Sequence, residues 1–180
     1  MKAPELKTTD SLITLIVPDV QRDTKLGVQW LNGELGHVTM QSMGNTKDVI
    51  DNILPTTVET ESERVRNFLE RTDQLNWMIE YNGTVVGSIW VDLEDSHYLP
   101  GPSVHIMVGD PAMRGKGIGS ASVSAVIEYL QGLGSKVIYS RHLITNEASS
   151  RLLRQIGFVN VGEPYTSDTL KFQNLVLEIS

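Results

Sequence analysis

The sequence contains no cysteine. This absence excludes disulfide bonds, thiolate metal sites and a covalent acyl-cysteine intermediate, and we expect no bound metal. Long hydrophobic runs are also missing, since no apolar stretch approaches the ~18 residues that a membrane span needs. Residues 1–6 form a largely polar start that Pro4 interrupts, unlike an export signal. We therefore expect a cytoplasmic protein without a membrane partner.

Positive charge is scarce as well. The chain carries 15 Lys and Arg against 22 Asp and Glu, a formal net charge of -7. Nonspecific nucleic-acid binders need a basic face, so we expect no nucleic-acid partner. With 180 residues, no internal repeat and no long linker, residues 1–180 are expected to form a single domain. A monomer and a homodimer both remain open.

Alternating and helical patterns indicate a mixed architecture. An Asn82-Gly83 turn between two β-rich runs is the strongest hairpin signal. Asp19 is a candidate helix cap, and Thr60 with Glu63 resembles a capping box. Residues 40–55 show no decided pattern. The predicted strands are 11–17, 77–81, 84–91, 104–108, 136–140, 158–161 and 172–179. One predicted helix begins after residue 19, and the others cover 60–72, 117–133 and 146–155. The second half alternates strands and helices, which predicts a partly parallel sheet.

Glycines cluster within residues 113–120, between a predicted strand and a predicted helix. Uncovered backbone N–H groups at a helix N-terminus bind anions, so a phosphate site is expected here. The triphosphate-binding loop does not match, because Gly109 lies six residues before Gly115. The dinucleotide fingerprint of oxidoreductases also fails, because Ser120 replaces its third glycine.

The same cluster, Arg114-Gly115-Lys116-Gly117-Ile118-Gly119, resembles the Arg-x-x-Gly-x-Gly/Ala signature of the GNAT superfamily of acyl-CoA N-acyltransferases. Asn146-x-x-Ser149, followed by Gly157-Phe158, is similar to a second block of that family. The resemblance covers residues 76–162 well and 11–72 in outline, and it is greatest to the branch with ribosomal-protein N-terminal, spermidine and aminoglycoside acetyltransferases. It implies an α/β fold: a mixed, twisted sheet of about seven strands, splayed near the glycines, with about four helices.

The resemblance also implies the cofactor, acetyl-CoA, and the residues that hold it. Amides of the glycine cluster would bind the pyrophosphate, and the pantetheine arm would lie along the strand that precedes it. The implied cofactor-binding residues are Ile106, Met107, Val108, Arg114, Gly115, Lys116, Gly117, Ile118, Gly119, Ser120, Asn146 and Ser149.

Acetyl transfer to an amine requires a base, a stabilised oxyanion and an acid for the departing thiolate. Many family members carry a glutamate base where this chain has Ser103. His105 lies two residues on, on the same strand face, and imidazole changes charge near neutral pH, so His105 is our preferred base. The family's tyrosine acid is replaced by Leu153, which leaves the Ser149 hydroxyl as the candidate acid, its alternative role being a helix cap or a cofactor contact.

The acceptor would be an amine on a small molecule or a peptide. Carboxylates and a histidine in segments bordering the acceptor side are candidate contacts: Glu34, Asp92, Glu94 and His97. Each has the alternative role of a solvated surface residue, and Trp90, in a predicted strand, is expected in the core. Because the usual glutamate and tyrosine are absent, a degenerate acyl-CoA-binding module is the alternative to an acetyltransferase.

Overall fold

Within residues 2–179, one open sheet of eight strands organises the fold, in the order β1-β2-β3-β4-β5-β6-β8-β7. The computed structural model describes residues 2–179. The strands are β1 (Leu6–Lys7), β2 (Ile13–Ile16), β3 (Gln74–Tyr81), β4 (Thr84–Asp92), β5 (Ser103–Val108), β6 (Val137–Leu143), β7 (Val159–Ser167) and β8 (Leu170–Glu178). Only β5 and β6 pair in parallel within the described residues. The expected mixed sheet is confirmed, with eight strands rather than about seven.

The described residues contain six α-helices instead of about four. They are α1 (Val20–Leu31), α2 (Gly33–Ser42), α3 (Lys47–Asn52), α4 (Val58–Glu70), α5 (Ile118–Gly132) and α6 (Glu147–Ile156), and a 3-10 turn covers Pro111–Met113. The predicted cap of α1 is confirmed, because the Asp19 side chain accepts a hydrogen bond from the Arg22 amide. The capping box of α4 was placed wrongly. It joins Thr57 to Thr60, so the helix begins one turn before the predicted Thr60–Glu63 box.

The Asn82-Gly83 turn forms the predicted hairpin between β3 and β4. Both residues have positive φ, 49° and 78°, as this kind of two-residue turn requires. Tyr81 pairs with Thr84 directly across it. The hairpin therefore sets the pairing of β3 with β4 next to the turn, and the register shifts once, between Ile79 and Glu80.

Two hydrophobic clusters lie on opposite faces of the sheet. Leu75, Trp77 and Ile79 of β3 join the larger cluster with α5 and α6, whereas Met78 joins a smaller cluster with Trp30 of α1. Successive side chains of a strand point to opposite faces, so α5 and α6 cover one face and α1 covers the other. No helix within residues 2–179 is long and apolar enough to cross a membrane.

The sheet opens between β5 and β6, as expected. These strands share a single register pair, Ser103 with Tyr139, and the Tyr139 amide donates to the Pro102 carbonyl at 2.9 Å. Past that pair the strands diverge, and β5 runs into the glycine cluster. The opening therefore leads directly to the segment predicted to bind phosphate.

Candidate active site

A cleft of about 690 Å³ fills the opening between β5 and β6. Residues 104–108 of β5 and the end of β6 form its sides, and the glycine loop, α6 and the end of α2 close around it. A cleft of this size accommodates a small-molecule ligand. It brings most of the predicted site residues together.

The glycine loop presents a run of unpaired amides to this cleft. Gly115 and Gly117 have φ of 76° and 79°, in the left-handed region that favours glycine, and Gly117 is the N-cap of α5. None of the amides of residues 115–120 has an acceptor among residues 2–179. Gly115, Gly117, Ile118, Gly119 and Ser120 line the cleft. Converging free N–H groups at a helix N-terminus are the arrangement that anions bind, so the expected phosphate site stays a prediction with the backbone geometry it needs.

The two basic side chains of the loop have different surroundings. The Arg114 guanidinium donates to the Val108 carbonyl and to Thr39 Oγ1, each at 3.2 Å, so it ties the loop to β5 and α2. Lys116 is exposed, lies 3.5 Å from Met113 Sδ, and does not line the cleft. The backbone, rather than the Lys116 charge, is therefore what this loop offers to an anion.

The cleft edge of β5 has a free backbone position at Ile106. The Gly109 amide donates to Val86 of β4, so odd-numbered residues of β5 direct their backbone towards β4 and even-numbered residues towards the cleft. On that edge the Val104 carbonyl accepts from Ser140 Oγ at 2.9 Å. Ile106 has no ladder partner there among the described residues. Of the predicted strand contacts, Ile106 and the Val108 amide face the cleft, the Val108 carbonyl accepts from Arg114, and Met107 directs its backbone towards β4.

The N-terminus of α6 carries the second predicted motif. Asn146 caps the helix, because its Oδ1 accepts from the Ser149 amide at 3.1 Å, and its Nδ2 donates to the Ser42 carbonyl at 3.2 Å. Both polar atoms of the Asn146 side chain are thus engaged in structure, although the residue lines the cleft. The Ser149 hydroxyl lines the cleft and has no partner within residues 2–179. Leu153 is buried in the core.

His105 lies at the centre of a polar cluster on β4 and β5. Its Nε2 is 3.1 Å from Asp92 Oδ2 and 3.2 Å from Ser103 Oγ. The His105 ring stacks on Trp90 with ring centroids 5.3 Å apart and an angle of 17°. His105, Asp92 and Trp90 line the cleft, whereas Ser103 is buried behind them. Ser103 is thus placed to position His105, and Trp90 packs against the smaller hydrophobic cluster, as expected, while also forming a cleft wall.

Asp92 is held as a carboxylate. Burial on its own would raise its pKa, but hydrogen bonds from His105 and Gln74, together with the charge that His105 carries when protonated and the charge of nearby Arg71, hold the pKa of Asp92 below its ordinary value. An ionised Asp92 accepts a hydrogen bond from His105, so Nε2 carries the proton and Nδ1 keeps its lone pair. This arrangement prepares the imidazole to act as a base.

The other predicted acceptor contacts do not join this cluster. Glu34 lies in the first turn of α2, and Glu94 and His97 lie in the connection from β4 to β5; all are exposed and outside the cleft lining. His97 instead packs edge-on against Tyr98, with ring centroids 4.8 Å apart. Of the four candidates, the structure brings only Asp92 to the cleft.

Several cleft residues carry no signal in the sequence. Thr39, Ser42 and Met43 come from α2 and its end; Ser42 and Met43 fall in the stretch without a decided pattern, and Thr39 lies just before it. Arg141, His142 and Phe172 come from the facing ends of β6 and β8. The position of a strand end next to the sheet opening is the only indication that could have pointed to this last group.

Comparison with known proteins identifies the family. The family described as acetyltransferase (GNAT) domain matches residues 28–159. The chain therefore belongs to the GNAT acetyltransferase family, as the glycine and Asn-x-x-Ser motifs predicted. An uncharacterised protein of Methanocaldococcus jannaschii is 32% identical over 95 residues, which span 51% of this chain and 19% of that protein. The chain thus matches about a fifth of the length of that curated relative.

Solved structures share the fold. The ribosomal protein acetyltransferase RimL in complex with coenzyme A has a TM-score of 0.78 at 14% identity, with 98% of both chains covered. An aminoglycoside acetyltransferase in complex with coenzyme A has a TM-score of 0.71 at 17% identity, covering 92% of this chain and 94% of that one. A domain from Methanocaldococcus jannaschii has a TM-score of 0.67 at 23% identity, covering 92% and 98%. These include two of the kinds of acetyltransferase that the motifs resemble.

Proposed function

We propose that this protein transfers the acetyl group of acetyl-CoA directly to a primary amine, with both substrates bound together. The observation that carries the proposal is the coincidence of two free backbone surfaces in one cleft. Among the described residues, the amides of residues 115–120 have no acceptor and Ile106 has no strand partner on its cleft edge. A pyrophosphate fits the first surface, and the amides of a pantetheine arm fit the second.

Different residues of the cleft would bind different parts of the cofactor. The loop amides from Gly115 to Ser120 would hold the pyrophosphate, with Arg114 fixing the loop against β5. Ile106 and Val108 would pair with the pantetheine arm, and Ser149 would line its end at α6. Bound acetyl-CoA supplies an acetyl group activated as a thioester. No acyl-enzyme is needed, in agreement with the absence of cysteine.

His105 is the proposed general base. Asp92 accepts a hydrogen bond from the Nε2–H group of His105, which leaves the Nδ1 lone pair to take a proton from the acceptor amine. Ser103 and Trp90 hold the ring from behind and from its face. Asp92 and Ser103 therefore act as positioning residues, and positioning by Asp92 replaces the acceptor contact expected from the sequence.

Ser149 is the proposed acid. In the overall reaction the amine nitrogen forms a bond to the acetyl carbon while the carbon–sulfur bond breaks. One proton leaves the amine and one is taken up by the thiolate. The unpartnered Ser149 hydroxyl is a donor in the cleft for the second transfer.

The test separates an enzyme from a binding module. Free thiol is measured after mixing the protein with acetyl-CoA and a panel of peptide, polyamine, aminoglycoside and small metabolite amines. We expect amine-dependent thiol release that falls by about 100-fold in His105→Gln, because general base catalysis contributes on this scale. A matched His97→Gln variant, altered outside the cleft, should keep the original rate. Thermal stabilisation by CoA without thiol release for any amine would instead indicate the degenerate binding module.

A further inference from the structure

The cleft carries more positive than negative charge, although the chain as a whole is acidic. Its charged lining consists of Arg114, Arg141 and Arg151 against Asp92 alone. The chain has a formal net charge of -7. The charge of the cleft is thus opposite in sign to that of the protein, which indicates recognition of anionic groups.

Two of these arginines belong to the proposed cofactor side. Arg114 lies in the glycine loop, and Arg151 lies on α6. Arg141 lies elsewhere, near the end of β6, and its contacts are with Tyr98, Tyr165 and Phe172. A diphosphate at the loop amides therefore leaves the charge of Arg141 unexplained.

Aromatic rings hold the Arg141 guanidinium without neutralising it. Its central carbon lies 4.8 Å from the ring centroid of Tyr98 and 4.8 Å from that of Phe172. Nη1 donates to the Tyr165 hydroxyl at 3.1 Å, the only hydrogen bond of this side chain within the described residues. No carboxylate of residues 2–179 lies within ion-pair distance of it. A guanidinium has five N–H donors, so Arg141 keeps both its charge and spare donors in a fixed orientation.

The strand register places Arg141 level with His105. Ser103 and Tyr139 are paired in parallel, and His105 and Arg141 each follow two residues later. Paired residues of parallel strands project to the same face, so both side chains lie on the face that α1 covers. Both line the cleft, on opposite sides of the sheet opening. Neighbouring strands lie about 4.8 Å apart where they pair and diverge here, so a molecule that contacts both groups has to span more than that distance.

We propose that Arg141 binds a carboxylate of the acceptor, so that the preferred acceptors are amines that carry a carboxylate a few bonds from the nitrogen. This inference rests on the proposed function, since the amine must reach His105. Guanidinium and carboxylate match in geometry through paired hydrogen bonds. Phe172, which also lines the cleft, offers apolar surface beside that pair. The carboxylate belongs either to a free amino acid or to an acidic N-terminal residue of a peptide.

The test compares matched amines on the CoA-saturated protein by titration calorimetry. The free amino acid pairs are phenylalanine with phenylalaninamide and leucine with leucinamide. The peptide pair is glutamyl-alaninamide with glutaminyl-alaninamide. We expect the carboxylate member of at least one kind of pair to bind ~10 to 100-fold more tightly, as one charge-assisted contact provides. The pair that discriminates identifies the source of the carboxylate.

Variants assign the preference to Arg141. Arg141→Gln should bring the affinity ratio of the pair close to one, and Arg141→Lys, which keeps the charge, should retain part of it. Arg66→Gln removes the same charge from the exposed face of α4 and should leave the ratio unchanged. A ratio that Arg141→Gln does not change, or a failure of every carboxylate amine to bind, overturns the proposal. If Arg141 had only a structural role, Arg141→Gln would lower the melting temperature and weaken the binding of both amines of a pair equally. Failure of the proposed function appears separately, as the absence of CoA binding or of thiol release.

Discussion

Substituting Gly117 by alanine separates the two roles of the glycine loop, folding and anion binding. Gly117 has a φ of 79°, and a Cβ added there would meet no atom within 4 Å. The cost in the free protein is therefore conformational, roughly 1–2 kcal/mol for an L residue in the left-handed region. Gly134, past the end of α5, has a φ of 95° and equally open surroundings. Gly134→Ala is thus a matched control with the same strain outside the cleft.

Only Gly117→Ala is expected to weaken CoA binding. Relief of the strain rotates the peptide groups around residue 117, which redirects amides that have no other acceptor. Loss of one charge-assisted hydrogen bond is worth about 1.5 kcal/mol or more, which corresponds to at least a ~10-fold rise in the dissociation constant of CoA. Thermal unfolding of the free proteins measures the strain, and titration calorimetry measures CoA affinity. Equal CoA affinities for Gly117→Ala and Gly134→Ala would refute the role of these amides.

The remaining predictions concern the His105 cluster and the packing beneath it. Asp92→Asn should lower kcat/KM about 100-fold, because an amide N–H facing Nε2 selects the wrong tautomer of His105. The control Glu94→Gln should leave kcat/KM unchanged. An unaltered pH–rate profile in Asp92→Asn would contradict this prediction. Because the pKa of Asp92 is lowered in the folded state, the contribution of this carboxylate to stability is complete above about pH 5 and diminishes below about pH 4. The free energies of unfolding of wild type and Asp92→Asn should therefore converge in acid. A difference between them that stays constant with pH would count against this prediction. Gly109→Ala places a Cβ 2.2 Å from the buried ring of Trp30 and should cost about 2 kcal/mol or more in urea unfolding, and a loss under about 0.5 kcal/mol would disprove this contact.

The features that the sequence predicts correctly are those fixed by local chemistry. The Asn82-Gly83 turn adopts positive φ at both residues, and Asp19 caps α1. The glycine cluster forms a loop at a helix N-terminus because glycine favours the left-handed conformation that this turn needs. Each of these depends on a few neighbouring residues, so no knowledge of the tertiary structure is required.

Helices that lack a buried apolar face escape sequence analysis. In α2, Leu35 and Val38 are exposed, at 62% and 54%, so its hydrophobic residues do not show helical spacing towards the core. The α4 box was assigned to the wrong pair because threonine, rather than glutamate, completes it at Thr60. Strand β7 continues through Gly162 and Pro164 by an irregular register between Val161 and Tyr165, whereas glycine and proline predict a break.

Contacts between residues on neighbouring strands are the second feature that the sequence does not predict. Asp92 meets His105 because Asp92 pairs with Ser103 and Trp90 pairs with His105. That register is reached through residues 93–102, whose length alone does not determine it. The sequence therefore indicates a carboxylate near the site but not its hydrogen bond to the histidine. Arg141 is likewise identified only once its neighbours, aromatic and not acidic, are known.

Thermal unfolding with and without ligands tests the central claim most directly, that the cleft between β5 and β6 binds acetyl-CoA through the glycine loop. The protein is melted alone and with acetyl-CoA, CoA, NAD or ATP. A ligand at 100 times its dissociation constant adds about 2.7 kcal/mol of stability. The account predicts stabilisation of this size by acetyl-CoA and CoA and little by NAD or ATP. No shift with acetyl-CoA or CoA, or an equal shift with NAD, would contradict it.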